Sequence, residues 1–170
     1  MIKVLHLDEN HEILENGLAK IGFKNVFDFK SNKKEIAKKI EKFHGLVLRS
    51  RIPIDEDLID HAKNLKFIAR VGSGTENIDI EYAKKRGITI LSAGEGNANA
   101  VGEHTLSMIL GLFNNIIKAN NEINNNVWQR EGNRGIELEN KTVGIIGYGK
   151  TGKNFAKKLA GFNVKVLCND

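Results

Sequence analysis

The sequence predicts an α/β protein in two parts: a parallel sheet with covering helices over residues 1–97, then the start of a second α/β unit over 98–170. Three observations predict it. From residue 2 to 91, short apolar runs alternate with stretches of helical periodicity, the pattern of parallel strands joined by crossover helices. A long apolar segment follows and reads as one helix over 98–121. Beyond it, Val143, Ile145 and Ile146 run into Gly147-Tyr148-Gly149-Lys150-Thr151-Gly152, a G-x-G-x-x-G turn that opens another helix.

In chain order, strands are expected at residues 3–7, 26–29, 45–48, 67–70 and 88–91. Between them, Ile36, Ala37, Ile40 and Phe43 share one helical face, entered through a capping box of Asn32 and Glu35. A second helix carries Leu58, Ile59, Ala62 and Leu65 after a Pro53 turn and an Asp55 cap. A third, shorter one follows Asp79, with Ile80 and Ala83 inward. Five strands so covered make a doubly wound, flavodoxin-like domain large enough to bury its own core. Ser92-Ala93-Gly94-Glu95-Gly96-Asn97 is a turn-forming segment and the expected domain boundary.

The helix over 98–121 has Leu106, Ile109, Leu110, Phe113 and Ile117 on one stripe and Met108, Leu112 and Ile116 on the other. A helix apolar nearly all round has to be buried, in a large core or against a partner. Trp128 is expected as a packing anchor, and Asn120, Asn121, Asn124, Asn125 and Asn126 as a polar helix end or loop. A loop over 129–140 leads to the glycine turn.

That turn is the part of the chain with the plainest chemistry. Gly147 permits a tight turn, Gly149 lets the backbone approach a pyrophosphate, and Gly152 lets the helix lie close on its strand. The helix then presents free N–H groups and the positive end of its dipole to the phosphates. Phe155, Leu159 and Phe162 recur at helical spacing, and Val164, Val166 and Leu167 form the next strand. Asp170 falls where a carboxylate meets the adenosine ribose, which predicts NAD over NADP because a 2′-phosphate would be repelled. The competing reading is an ordinary glycine-rich turn; strand, helix, second strand and acid in this order favour a Rossmann NAD site.

Composition narrows the class. The net charge of +5 is spread over helix faces among glutamates, with no interleaved aromatics, so nucleic-acid binding is not expected. The apolar start stops at Asp8, too short for a signal peptide or a membrane span, and a cytoplasmic protein with no membrane partner is expected. Cys168 is the only cysteine, read as a buried, inert thiol, and no metal site is expected.

Taken together, Leu48-Arg49-Ser50, Ala69-Arg70-Val71-Gly72-Ser73-Gly74, Gly96-Asn97, Glu103-His104-Thr105 and the glycine turn resemble the D-isomer-specific 2-hydroxyacid dehydrogenases along the whole chain. The resemblance implies an NAD-dependent oxidoreductase acting on a D-2-hydroxy acid, with 3-phosphoglycerate favoured. A glyoxylate, hydroxypyruvate or pyruvate reductase and a non-catalytic NAD-sensing corepressor are the alternatives. On the substrate side it implies Arg49, Ser50, Arg70, Val71, Gly72, Gly74 and Asn97. On the cofactor side it implies Ser73, Thr105, Gly147, Gly149, Lys150, Thr151, Gly152 and Asp170. Arg49 and Arg70 both end strands, so both are expected to point into one crevice at the carboxyl edge of the sheet.

Hydride transfer in the family also needs an arginine, a glutamate and a histidine that come later than the second nucleotide strand. None of His6, His11, His44, His61 and His104 falls at the general-base position, so no catalytic residue is expected in this chain. The expectation is therefore the amino-terminal part of a longer enzyme, inactive alone, with uncovered apolar faces. The helix over 98–121 is expected to make a homodimer in the complete protein.

Overall fold

Leu46, Val47 and Leu48 leave a strand with no polar face, so it has to be covered on both sides. The computed structural model, which describes residues Met1–Asp170, puts that strand, β3 (Gly45–Leu48), at the centre of a five-stranded sheet with all four residues buried. Its companions are β1 (Lys3–His6), β2 (Lys24–Phe27), β4 (Phe67–Arg70) and β5 (Thr89–Ser92). All pair in parallel in the order β2-β1-β3-β4-β5, the flavodoxin-like arrangement. The core beneath is Leu5, Leu7, Ile36, Ile40, Leu48, Leu58 and Ile68.

Boundaries differ from expectation where side chains interrupt the ladder. β2 begins and ends two residues early, at Lys24 and Phe27 against the expected 26 and 29. Asp28 takes the N–H groups of Lys30 and Ser31 on its carboxylate, which bends Phe29 out of the strand. The helices are α1 (Glu12–Lys20), α2 (Lys33–Ala37), α3 (Glu56–His61) and α4 (Ile80–Lys85). The capping box of Asn32 and Glu35 forms in full, and Asp55 and Asp79 cap α3 and α4. Helix α1 has no distinct sequence signal: Gly17 lies mid-helix and none of its residues is buried.

Contacts divide the chain after Ala93, within the boundary segment 92–97, into Met1–Ala93 and Gly94–Asp170. The expected turn at residues 94–97 is instead the first turn of a helix, α5 (Gly94–Phe113). Its two glycines are poor helix formers and hid it, whereas Glu95 suits the positive helix start.

The single long helix is also corrected. The chain breaks after Phe113, and α6 (Ile116–Asn124) follows. Asn115 is left-handed at φ 52°, a conformation asparagine tolerates, and its side-chain amide donates to the Arg134 carbonyl at 3.3 Å. Ile136 N–H takes the Phe113 carbonyl at 2.9 Å, so a distant segment satisfies the broken helix end.

After these come β6 (Thr142–Ile146), α7 (Lys150–Lys158) and β7 (Lys165–Asn169), with β6 and β7 parallel. Ile145, Phe155 and Leu159 form the small core beneath α7. Apolar surface remains, as expected of uncovered faces: Ile146 is 95% exposed, and Leu112 on α5 is 75% exposed. Trp128 is 79% exposed and anchors nothing, and Cys168 is exposed rather than buried because β7 has only β6 beside it. No helix is long and apolar enough to cross a membrane.

Candidate functional site

In the first unit the strand order reverses between β1 and β3, so the crevice forms outside their carboxyl ends. Asp8, just past β1, reaches across and accepts the Arg49 N–H at 2.6 Å. The next residue but one, Arg51, donates to three carbonyls: Leu7 at 2.8 Å, Ser31 at 2.6 Å and Asp28 at 2.9 Å. Asn77 adds a bond to the Ile52 carbonyl at 3.3 Å. The segment carrying Arg49 and Ser50 is thus pinned by its backbone, while both side chains face solvent.

Asp28 underlies this clamp. Burial works against its charge, but the Lys39 ammonium and the amides of Ser31 and Lys30 outweigh it and hold the carboxyl well below the ordinary range. Sequence reasoning missed Asp8, Arg51 and Asn77. Asp8 had a signal, since it is an acid just past a strand end; Arg51 had none, because its partners are backbone carbonyls of distant loops.

Arg70 ends the neighbouring strand, paired with Leu48. It lines a hollow of about 310 Å³ with Asn10, His11, Leu14, Val71 and Leu91, and Arg49 is not among its walls. Arg49 follows Leu48, the β3 residue paired with Arg70, so the two arginines end neighbouring strands. The Arg70 guanidinium donates to the Val71 carbonyl at 3.1 Å, while its buried Nε lacks a partner. It lies over Gly72, where an added Cβ would come 2.2 Å from Nη1. Ser73 is exposed and Gly74 half-buried in the loop that follows.

Four of the five histidines have evident structural bonds. His6 is buried with Nε2 2.9 Å from the Asn25 amide oxygen, His11 caps α1, His44 accepts the Lys3 N–H at 3.2 Å, and His61 lies 2.7 Å from the Asp57 carbonyl. His104 is exposed on α5.

In the second unit β6 delivers the chain into the glycine turn. Gly147 takes φ 88°, and its N–H bonds the Asn169 carbonyl at 2.8 Å, tying the turn to the end of β7. Gly149 stands at the start of α7 with no side chain capping the helix, so its first N–H groups are left for a ligand. Gly152 is buried, and a Cβ there would come 2.1 Å from the Gly147 carbonyl oxygen. Only glycine lets the helix lie this close.

Asp170 turns toward this loop: its Oδ1 accepts the Tyr148 N–H at 2.9 Å. That leaves Oδ2 for another donor. Above Gly147 and Gly149 an added Cβ would meet nothing within 4 Å, so the loop's face is open and fits a diphosphate. Lys150 pairs with Glu95, a partner the sequence did not suggest. Thr151 and Asn97 are exposed, and the Thr105 hydroxyl donates to the Val101 carbonyl of its own helix at 2.8 Å.

These elements define a class: an α/β chain with a flavodoxin-like sheet and a Rossmann-type strand, glycine turn, helix and strand. The chain belongs to the D-isomer specific 2-hydroxyacid dehydrogenase family, matching its catalytic domain over residues 2–165. It is 34% identical over 170 residues to the D-3-phosphoglycerate dehydrogenase of Methanocaldococcus jannaschii, covering all of this chain and 32% of that protein. It is 36% identical over 138 residues to the hydroxypyruvate reductase of Thermotoga maritima, covering 81% of this chain and 45% of the relative. Among solved structures, the NAD+-bound 3-phosphoglycerate dehydrogenase of Entamoeba histolytica superposes with a TM-score of 0.74 at 28% identity, over 99% of this chain and 54% of that one. The chain thus spans less than half the length of these curated relatives.

Proposed function

We propose that this chain forms the first substrate-binding segment and the opening of the NAD site of a D-2-hydroxyacid dehydrogenase, with 3-phosphoglycerate as the favoured substrate. The observation that carries the reading is the open glycine turn with Asp170 directed at it, in a chain of this family. Gly147, Gly149, Lys150, Thr151 and Gly152 hold the diphosphate, Asp170 holds the adenosine ribose, and Ser73 and Thr105 lie on the nicotinamide side. Bound NAD supplies the acceptor for hydride. Arg49, Ser50, Arg70, Val71, Gly72, Gly74 and Asn97 hold the acid, since guanidinium groups and exposed loop amides suit carboxylate and phosphate.

The 170-residue chain alone is proposed to lack turnover, because four of its five histidines are held in structural bonds and His104 lies in solvent on α5. Its domains are proposed as 1–97 and 98–170. The apolar groove of Met108, Leu112, Ile116 and Ile117 on α5 and α6 is proposed as the homodimer face. Sedimentation showing a monomer would remove that part.

A second substrate reading has support of its own, because one relative of 36% identity is a hydroxypyruvate reductase. Kinetics of a protein of the relatives' full length carrying this chain decides between them. Arg49→Ala is expected to raise KM for 3-phosphoglycerate by about tenfold or more, the scale of a lost charged hydrogen bond. An unchanged KM, with hydroxypyruvate the better substrate, would favour the reductase.

A further inference from the structure

The helix that receives the diphosphate in this reading opens on Lys150, and that side chain is already engaged. Its ammonium pairs with the Glu95 carboxylate in the first turn of α5, and both groups belong to the unit Gly94–Asp170. Glu95 is well kept as an anion: Lys150 first, then its own backbone N–H, hold its carboxyl below the ordinary range. The pair is also open to water, with Lys150 52% and Glu95 72% exposed. An exposed pair of this kind exchanges partners at small cost.

The effect on the turn is electrostatic. α7 starts at Gly149 with no side-chain cap and open space beside it, so its positive end attracts an anion. A free ammonium at the next residue would strengthen that attraction. Glu95 cancels that charge for as long as the pair lasts. Lys150 can turn to the diphosphate only by leaving Glu95, so part of what the new contact gains is offset by the pair that is lost.

We propose that Glu95 sets the affinity of the dinucleotide site: it holds Lys150 while the site is empty and gives it up when a diphosphate binds, which keeps binding weak and reversible. This rests on the dinucleotide reading above. The residue acts through Lys150, so it is a positioning residue whose removal strengthens binding, the opposite of what loss of a contact does.

Calorimetric titration of NADH into a protein of the relatives' full length carrying this chain, as wild type, Glu95→Gln, Lys150→Gln and the double variant, tests it by binding alone. Glu95→Gln is expected to tighten NADH roughly threefold, within what an exposed ion pair supports, and the gain should shrink as salt rises. Lys150→Gln should cost less affinity in the wild-type background than in Glu95→Gln, a coupling that independent residues do not show. Unchanged or weaker binding by Glu95→Gln, or equal costs of Lys150→Gln in both backgrounds, would overturn the role of Glu95 while leaving the NAD site in place. No NADH binding by any of the four proteins would overturn both.

Discussion

Gly152 is the residue on which the nucleotide turn depends most simply. A methyl group there would come 2.1 Å from the Gly147 carbonyl oxygen, and backbone, not a flexible side chain, is what it meets. Gly152→Ala is therefore expected to push α7 off β6, lowering stability by about 1–3 kcal/mol and abolishing NADH binding. A variant that melts and binds like wild type would contradict the geometry. Asp28 makes a second test, by pH. Its folded carboxyl lies below the ordinary 3.8, so the unfolded chain takes up the proton more readily. The stability it contributes is full above that ordinary value and lost as pH falls toward the folded one. Urea midpoints should drop as pH falls below about 4, and Lys39→Met should flatten that drop. Equal slopes for both proteins would show that Lys39 does not sustain the charge.

At the scale of elements, legibility followed how local each signal was. β3, β4 and the capping box of Asn32 and Glu35 were readable because each depends on residues adjacent in the chain. The glycine turn and the acid after β7 were readable for the same reason, since spacing alone places them. What escaped depends on distant backbone. The break between α5 and α6 is stabilised from Arg134 and Ile136, and the Arg51 clamp reaches Leu7, Asp28 and Ser31. Neither contact leaves a pattern in its own segment. The break itself is testable through Asn115, left-handed at φ 52°. Asn115→Val should cost about 1–3 kcal/mol, because a β-branched residue is strained there, while Asn115→Gly should be close to neutral. Equal melting temperatures for the two variants would mean that the left-handed break does not persist in solution.

At the scale of the whole molecule, the two units carry different shares of the reading. Met1–Ala93 is a finished sheet with a buried centre, and its carboxyl edge carries Arg49 and Arg70 at the ends of neighbouring strands. Gly94–Asp170 has a small core and leaves Ile146 and Leu112 in solvent, yet its glycine turn is open above Gly147 and Gly149. The central claim is that this turn takes a diphosphate while Asp170 takes the ribose, and ligand choice tests it most directly. The measurement is the ratio of NADH to NADPH dissociation constants, by calorimetry, for a protein of the relatives' full length carrying this chain and for its Asp170→Ala variant. The account predicts that NADH binds at least about tenfold tighter than NADPH, because the Asp170 carboxylate repels a 2′-phosphate at that position, and that the preference collapses in Asp170→Ala. Equal affinities in the wild type, or a preference for NADPH, would contradict it.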